Sequence, residues 1–216
     1  MQNRYHYVEF KWKDETGTCA HTYIVPAILK IIKELNLKLD LKILDAGCGG
    51  GNLINVLYNL GFNNVWGFDA SESAISLARK SFPRIADKFF KHNAYESRLP
   101  DGISQSYDLI ISMEVLEHCY SPQEYLRNVY KWLNKDGSLI ITTPYQGFLK
   151  NLAVALLNKF DWHFEALREG GHIKFFSKRT LSFLLHKEGF DIIRFKGAGR
   201  IPYLWKSMIL VARKRG

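Results

Sequence analysis

The feature that most constrains this chain is a glycine-rich turn. Lys42-Ile43-Leu44-Asp45 reads as a short buried strand that runs straight into Ala46-Gly47-Cys48-Gly49-Gly50-Gly51, and a helical pattern starts at Asn52. Glycines at 47, 49 and 51 let the backbone turn tightly and approach a ligand closely. The helix that follows presents free backbone N–H groups at its first turn. A strand, a glycine turn and a helix in this order open a nucleotide-binding α/β sheet. The spacing does not fit the pyrophosphate-binding pattern, whose third glycine would fall at position 52, an asparagine here. The observed order is Asp-x-Gly-x-Gly-x-Gly, and a carboxylate beside the turn, Asp45, suits a cationic ligand better than a phosphate.

The rest of the chain alternates short apolar runs with helical periodicity, which predicts a parallel sheet covered by helices. A first helix is expected over residues 22–37, with Ile24, Ile28, Ile31, Ile32 and Leu35 on one face. Helices over 52–60, 71–81, 122–133 and 180–187 alternate with strands over 64–68, 88–92, 107–113 and 138–142. Ser71 and Ser121 stand as N-caps, Pro122 occupies a first helical position, and Gly61 and Gly189 are stops. Two last strands are expected over 190–195 and 208–212, while residues 145–175 read as irregular and aromatic-rich. At 216 residues the chain fits one domain, with a helical cap over 1–38 and an insertion over 145–175.

Further candidates lie where the predicted strands end, because parallel α/β sheets bind ligands at their carboxyl edge. Asp69, 24 residues past Asp45 and followed by Ala70, can accept both ribose hydroxyls of an adenosine. Asn93, followed by Ala94, could read an adenine edge, since an amide both donates and accepts; a simple turn asparagine fits equally well. After the fourth strand, Met113 leads into Glu114-Val115-Leu116-Glu117-His118. Two carboxylates and an imidazole in five residues could ligate a divalent ion or position a hydroxyl. They could equally be solvated charges at a helix start.

Taken together, ILDAGCGGGN, VWGFDASESAI, YDLIISMEVLEH and GSLIITTP resemble the ordered motifs of class I S-adenosylmethionine-dependent methyltransferases over roughly residues 40–145. The resemblance implies a Rossmann-like α/β sandwich whose seven-stranded, mostly parallel sheet ends in an antiparallel strand. It implies S-adenosyl-L-methionine as the cofactor, held by Asp45, Gly47, Gly49, Gly51, Asp69, Ala70, Asn93, Ala94 and Met113. Within the class, MEVLEH and the later Gly171-His172-Ile173-Lys174-Phe175-Phe176-Ser177 are most similar to the ubiquinone-biosynthesis O-methyltransferases. The small-RNA 2′-O-methyltransferases carry a similar Glu-x-x-Glu-His that holds magnesium. Carried over, Glu114, Glu117, His118 and His172 become a candidate Mg2+ site, and His118 and His172 candidate catalytic bases. Cys119 stands where the small-RNA enzymes place a second histidine, and Asn93 where an adenine-reading aspartate is common.

Composition narrows the partners. The net charge of +9 favours anionic ligands or surfaces, although such a value is common without any nucleic-acid role, and nucleic acid is disfavoured. Three separated cysteines, Cys19, Cys48 and Cys119, make no CxxC pair and point to a reducing compartment. Residues 1–13 lack the apolar core of a signal peptide, and no run approaches the roughly 20 apolar residues of a membrane span, so a soluble, cytoplasmic enzyme is expected. Tyr145, Phe148, Phe160, Trp162, Phe164 and the apolar run Leu152 to Leu157 suggest an acceptor pocket for a small planar or lipid-like molecule. With Lys150, Lys159 and Arg168 the same segment could touch a membrane surface. The rival readings are a non-catalytic nucleotide-binding module, a dehydrogenase, which Asn52 disfavours, and an RNA 2′-O-methyltransferase.

Overall fold

A computed structural model describes residues 20–216; the first part of the expected cap and Cys19 lie outside the described residues. In chain order the elements are α1 (His21–Glu34), β1 (Ile43–Ala46), α2 (Asn52–Asn59), β2 (Val65–Asp69), α3 (Glu72–Ser81), β3 (Phe89–Lys91), β4 (Tyr107–Met113), α4 (Pro122–Trp132), β5 (Leu133–Pro144), α5 (Phe148–Leu156), α6 (Phe160–Phe164), α7 (Lys178–Lys187), β6 (Phe190–Ala198) and β7 (Ser207–Lys214). Residues Leu116–His118 form a single 3₁₀ turn.

The seven strands lie in the order β3-β2-β1-β4-β5-β7-β6. Strands β1 to β5 pair in parallel, and β7 runs antiparallel to both β5 and β6. The expected sheet is therefore present, with the antiparallel strand inserted before the edge. Side chains alternate between faces of a strand, and each face carries its own core. Leu109 and Ile111 of β4 pack beneath α1, α2 and α3 with Ile28, Ile54 and Ile75. Ile110 faces α4 and α7 with Tyr125, Trp132 and Leu185.

The caps behave as their residue types dictate. The Ser71 hydroxyl accepts from the Ala74 N–H, that of Ser121 from Glu124, and that of Ser177 from Thr180 in a reciprocal box. Two expectations need correction. Strand β5 begins at Leu133, not Ser138, because Leu133 pairs with Tyr107 and the chain bulges before Leu109 meets Ser138. Residues 145–175 are not wholly irregular, since they contain α5 and α6. Their apolar positions face outward, so the periodicity of a helix packed on a core is missing there.

Candidate functional site

From β1 the chain moves outward to β2 and β3, then returns to place β4 and β5 on the other side of β1. The carboxyl ends of β1 and β4 therefore flank the point where the strand order reverses, the place at which such sheets open a ligand crevice. The glycine turn stands on one lip. Gly47 has φ +91°, and a Cβ on it would lie 2.4 Å from Val115 Cγ2. The turn thus packs directly on the segment leaving β4. Gly51, at φ +81°, is the N-cap of α2, where a Cβ would meet the Phe89 ring at 2.6 Å.

Asp45 ends buried in this lip, with Oδ1 lacking a hydrogen-bond partner among the described residues. Burial, and then the nearby Asp69, push its carboxyl up to about 8. Asp69 closes β2 and accepts from the Gly49 N–H at 3.0 Å and the Ser71 N–H at 2.9 Å. These two bonds hold the glycine turn against the end of β2 and use only part of the carboxylate's accepting capacity. Ala70 lies between them in the same turn. Asn93 has the geometry of a turn residue, its Oδ1 accepting from the Tyr95 N–H at 3.0 Å. The Ala94 carbonyl accepts from Asn128 Nδ2. Met113 is the last residue of β4, half-buried against the α1–α3 core.

Beyond Met113 the four metal candidates separate into two groups. Glu114 takes φ +55°, an uncommon backbone for a non-glycine residue. Its carboxyl is held by the Thr142 and Ser207 hydroxyls. Glu117, fully buried by the 3₁₀ turn, meets His118 and His172 instead, and ligand atoms of those three residues lie within 4.8 Å of one another. Glu114 is not part of that cluster, because its backbone turns the side chain toward β5 and β7. Residue 172 comes from the insertion, which is clamped here by two backbone bonds from the Ile173 and Lys174 N–H groups to the Glu117 carbonyl.

The cluster suits a cation on the chemistry of its donors. Both Glu117 oxygens are buried with no partner in hydrogen-bond geometry among the described residues, and so is the Thr143 hydroxyl, which lies near enough to favour the charged carboxylate. Burial, and then Glu114, push the Glu117 carboxyl well above its ordinary range, as expected of a carboxylate enclosed without a counter-charge. The His118 Nδ1–H donates to the Gly171 carbonyl at 3.2 Å, which leaves Nε2 as the lone-pair nitrogen. Such a hydrogen bond orients a metal-binding imidazole. Burial lowers both histidines, and His172 falls to about 4 through burial and then its neighbour His118. One carboxylate and two imidazoles fit manganese or zinc at least as well as magnesium, which prefers oxygen ligands.

One expectation for the insertion needs correction: Lys150, read with Lys159 and Arg168 as a surface cation, is the buried residue of α5, and its Nζ donates inward to the Tyr145 carbonyl at 2.7 Å. Burial lowers it to about 8, with Arg200 adding to the effect and Glu114 opposing it. His163 of α6 is lowered by burial and then by the cations Lys150 and Arg200. Thr142 lies in a run that sequence marks only as a strand. Ser207 opens β7, and because β7 is antiparallel its first residue reaches the carboxyl edge, opposite Pro144.

Known proteins agree with this architecture. A family described as a methyltransferase domain matches residues 20–194. The ubiquinone biosynthesis O-methyltransferase of Ruegeria sp. (strain TM1040) is 32% identical over 209 residues, covering 92% of this chain and 81% of that protein. Its namesake in Cereibacter sphaeroides (strain ATCC 17025) is 29% identical over 203 residues, covering 91% and 81%. The magnesium protoporphyrin IX methyltransferase of Synechocystis PCC 6803, solved with S-adenosylhomocysteine bound, superposes with a TM-score of 0.67 at 20% identity, over 88% of this chain and 82% of that one. The family match over residues 20–194, together with a relative 32% identical along most of both chains, shows that the chain belongs to this family: it is an S-adenosylmethionine-dependent methyltransferase.

Proposed function

We propose that this methyltransferase carries the sulfonium methyl to a hydroxyl oxygen of a small lipid-like acceptor drawn from a membrane surface. The observation that carries this reading is the inverted polarity of the insertion. Helix α5 buries Lys150, while Phe148 and Leu156 are 79% and 77% exposed and Trp162 of α6 is 72% exposed. Leu149, Leu152, Leu157 and Phe160 also point outward. A contiguous apolar face on a soluble surface marks a binding surface, and aromatic and leucine side chains beside basic residues suit a bilayer interface. Among the described residues no helix is long and apolar enough to cross a membrane, so such contact would be peripheral. The two described cysteines, Cys48 and Cys119, are free and buried, in keeping with the reducing cytoplasm as the compartment. The names of the Ruegeria and Cereibacter relatives support oxygen as the methylated atom.

Asp45, the glycine turn, Asp69 with Ala70, the Asn93-Ala94 pair and Met113 form the cofactor side. The turn and Asp69 seat the nucleoside, and Asp45 faces the cationic part. Methyl transfer is an in-line displacement, so much of the rate comes from alignment. His118 and His172 stand on the acceptor side. Without an ion, His118 Nε2, whose lone pair is left open by the Nδ1 bond to Gly171, is the group that takes the hydroxyl proton. A divalent cation held by Glu117, His118 and His172 would occupy that lone pair and would replace the base with a Lewis acid that lowers the pKa of a bound hydroxyl. An RNA acceptor is the weaker reading, because the outward face of the insertion is apolar rather than cationic.

The test is transfer of a labelled methyl group to a catechol with a short isoprenoid tail, to the same catechol without it, and to RNA, each with vesicles of anionic phospholipid. The tailed probe should be preferred, and the protein should sediment with the vesicles. Replacing Phe148, Leu156 and Trp162 with serine should abolish sedimentation. Equal methylation of tailed and tail-less probes, or transfer to RNA alone, would overturn the reading.

A further inference from the structure

A chain of hydroxyl groups ends on Glu114. The Thr142 hydroxyl accepts from the Glu114 backbone N–H at 3.0 Å and donates to Glu114 Oε1 at 2.7 Å. The Ser207 hydroxyl donates to Glu114 Oε2 at 3.1 Å. Since a serine has one hydrogen to give, the Tyr23 hydroxyl, 3.2 Å from Ser207 Oγ, is the donor in the next bond. Three elements distant in sequence, α1, β5 and β7, thus converge on one carboxyl group. The Tyr23 ring is seated for this, lying where a Cβ on Gly199 would come within 2.9 Å, with Lys206 Nζ above its face.

Glu114 is held in this way at a cost. A left-handed backbone on a glutamate is unfavourable, and such outliers persist where the surroundings over-determine them and function uses the result. The residue follows the end of β4, at the carboxyl edge of the sheet where the crevice opens, and Ser207, the first residue of β7, meets its carboxyl there. The two hydroxyl donors occupy about half of a carboxylate's accepting positions, leaving the rest for a ligand donor.

We infer that Glu114 accepts a hydrogen bond from a second hydroxyl of the acceptor, adjacent to the one that is methylated, and that Thr142, Ser207 and Tyr23 are positioning residues that aim its carboxyl group. The inference rests on the proposed hydroxyl acceptor. It assigns to Glu114 a task separate from the Glu117–His118–His172 cluster and brings α1 into the acceptor site.

The experiment measures kcat and KM for the tailed catechol, and S-adenosylmethionine affinity by calorimetry, in wild type, Ser207→Ala, Ser207→Thr, Tyr23→Phe and the Ser207→Ala/Tyr23→Phe double variant. Ser207→Ala should lower kcat about 10-fold, the usual size for one hydrogen bond to a charged group, with cofactor affinity unchanged. Ser207→Thr, which keeps the hydroxyl, should restore most of the rate. Tyr23→Phe should lower kcat about 3-fold alone and have no further effect in the Ser207→Ala background, because its influence passes through Ser207. Tyr23→Phe removes one oxygen at a partly buried position, so it carries the test should Ser207→Ala fold poorly. Unchanged kcat, multiplicative effects in the double variant, or a rate loss that tracks cofactor affinity would overturn the assignment while leaving the proposed reaction standing. A wild type that binds the cofactor but methylates no hydroxyl probe would sink the reaction and this assignment together.

Discussion

Replacing Gly47 with alanine should damage this protein through Val115, and a second substitution should repair part of the damage. The added Cβ would lie 2.4 Å from Val115 Cγ2, 3.3 Å from Cγ1 and 3.5 Å from Val115 Cβ. Two costs add. Holding a non-glycine residue at φ +91° is unfavourable by roughly 1–2 kcal/mol. Pushing the β-branched, half-buried Val115 aside costs about 1–3 kcal/mol more, the usual range for overpacking. Val115→Ala removes both methyls that clash and leaves only the 3.5 Å contact, which is ordinary van der Waals distance. Alone it should cost about 1–2 kcal/mol of packing. Urea unfolding of wild type, both single variants and the double variant gives the coupling. The double variant should be more stable than the sum of the two single losses by about 1–3 kcal/mol. Its S-adenosylmethionine affinity should recover in parallel, because the Gly47 Cβ faces Val115 and acts on the crevice by displacing the segment that carries Glu114. If the losses add to within about 0.5 kcal/mol, glycine is required at 47 for its dihedral angle alone, and the packing argument fails.

Asp69→Ala should weaken cofactor binding by about 1–3 kcal/mol in calorimetry, through loss of a charged acceptor and of the anchor for the Gly49 and Ser71 amides; unchanged affinity would remove Asp69 from the ribose site. Lys150, lowered from 10.5 to about 8 by burial, gives a stability that depends on pH. Between those values the unfolded chain holds a proton that the folded protein has released, so stability should rise with pH across that window by about 2–3 kcal/mol relative to Lys150→Met; parallel curves for the two proteins would contradict it. Glu117 is raised, so its burden on the fold grows as pH climbs above the ordinary carboxylate range and is absent below it. Glu117→Gln should therefore raise the melting temperature of the cation-free protein at neutral pH, whereas added manganese, zinc or magnesium should stabilise only the wild type. An equal cation response in both proteins would place the ion elsewhere. In the wild type, exhaustive chelation should stop methyl transfer without changing cofactor affinity, and activity that survives it would leave His118 acting as the base without an ion.

Much of this architecture was legible in sequence because its signals are local. The turn from Asp45 to Gly51 declares itself by glycine at alternate positions, β4 by an uninterrupted apolar run over Tyr107–Met113, and α3 and α4 by a serine placed one residue ahead of the first turn. Each signal is written within a few residues, by backbone freedom, side-chain periodicity or a cap. The order of strands carries no such mark. The family resemblance implied an antiparallel last strand, but only tertiary structure decided that β7 enters between β5 and β6, and that placement brings Ser207 to a glutamate 93 positions earlier in the chain. The spacing Glu-x-x-Glu-His suggested one cluster of carboxylates, yet a positive φ at Glu114 sends the two apart, one to hydroxyl donors and one to the imidazoles of His118 and His172. The outward apolar face of α5 was hidden for the same reason, since composition counts the leucines but cannot say which side the sheet leaves open. Local free-energy preferences specify elements and turns, whereas the meeting of distant side chains depends on strand order, strand direction and single backbone angles that arise only when the whole sheet assembles.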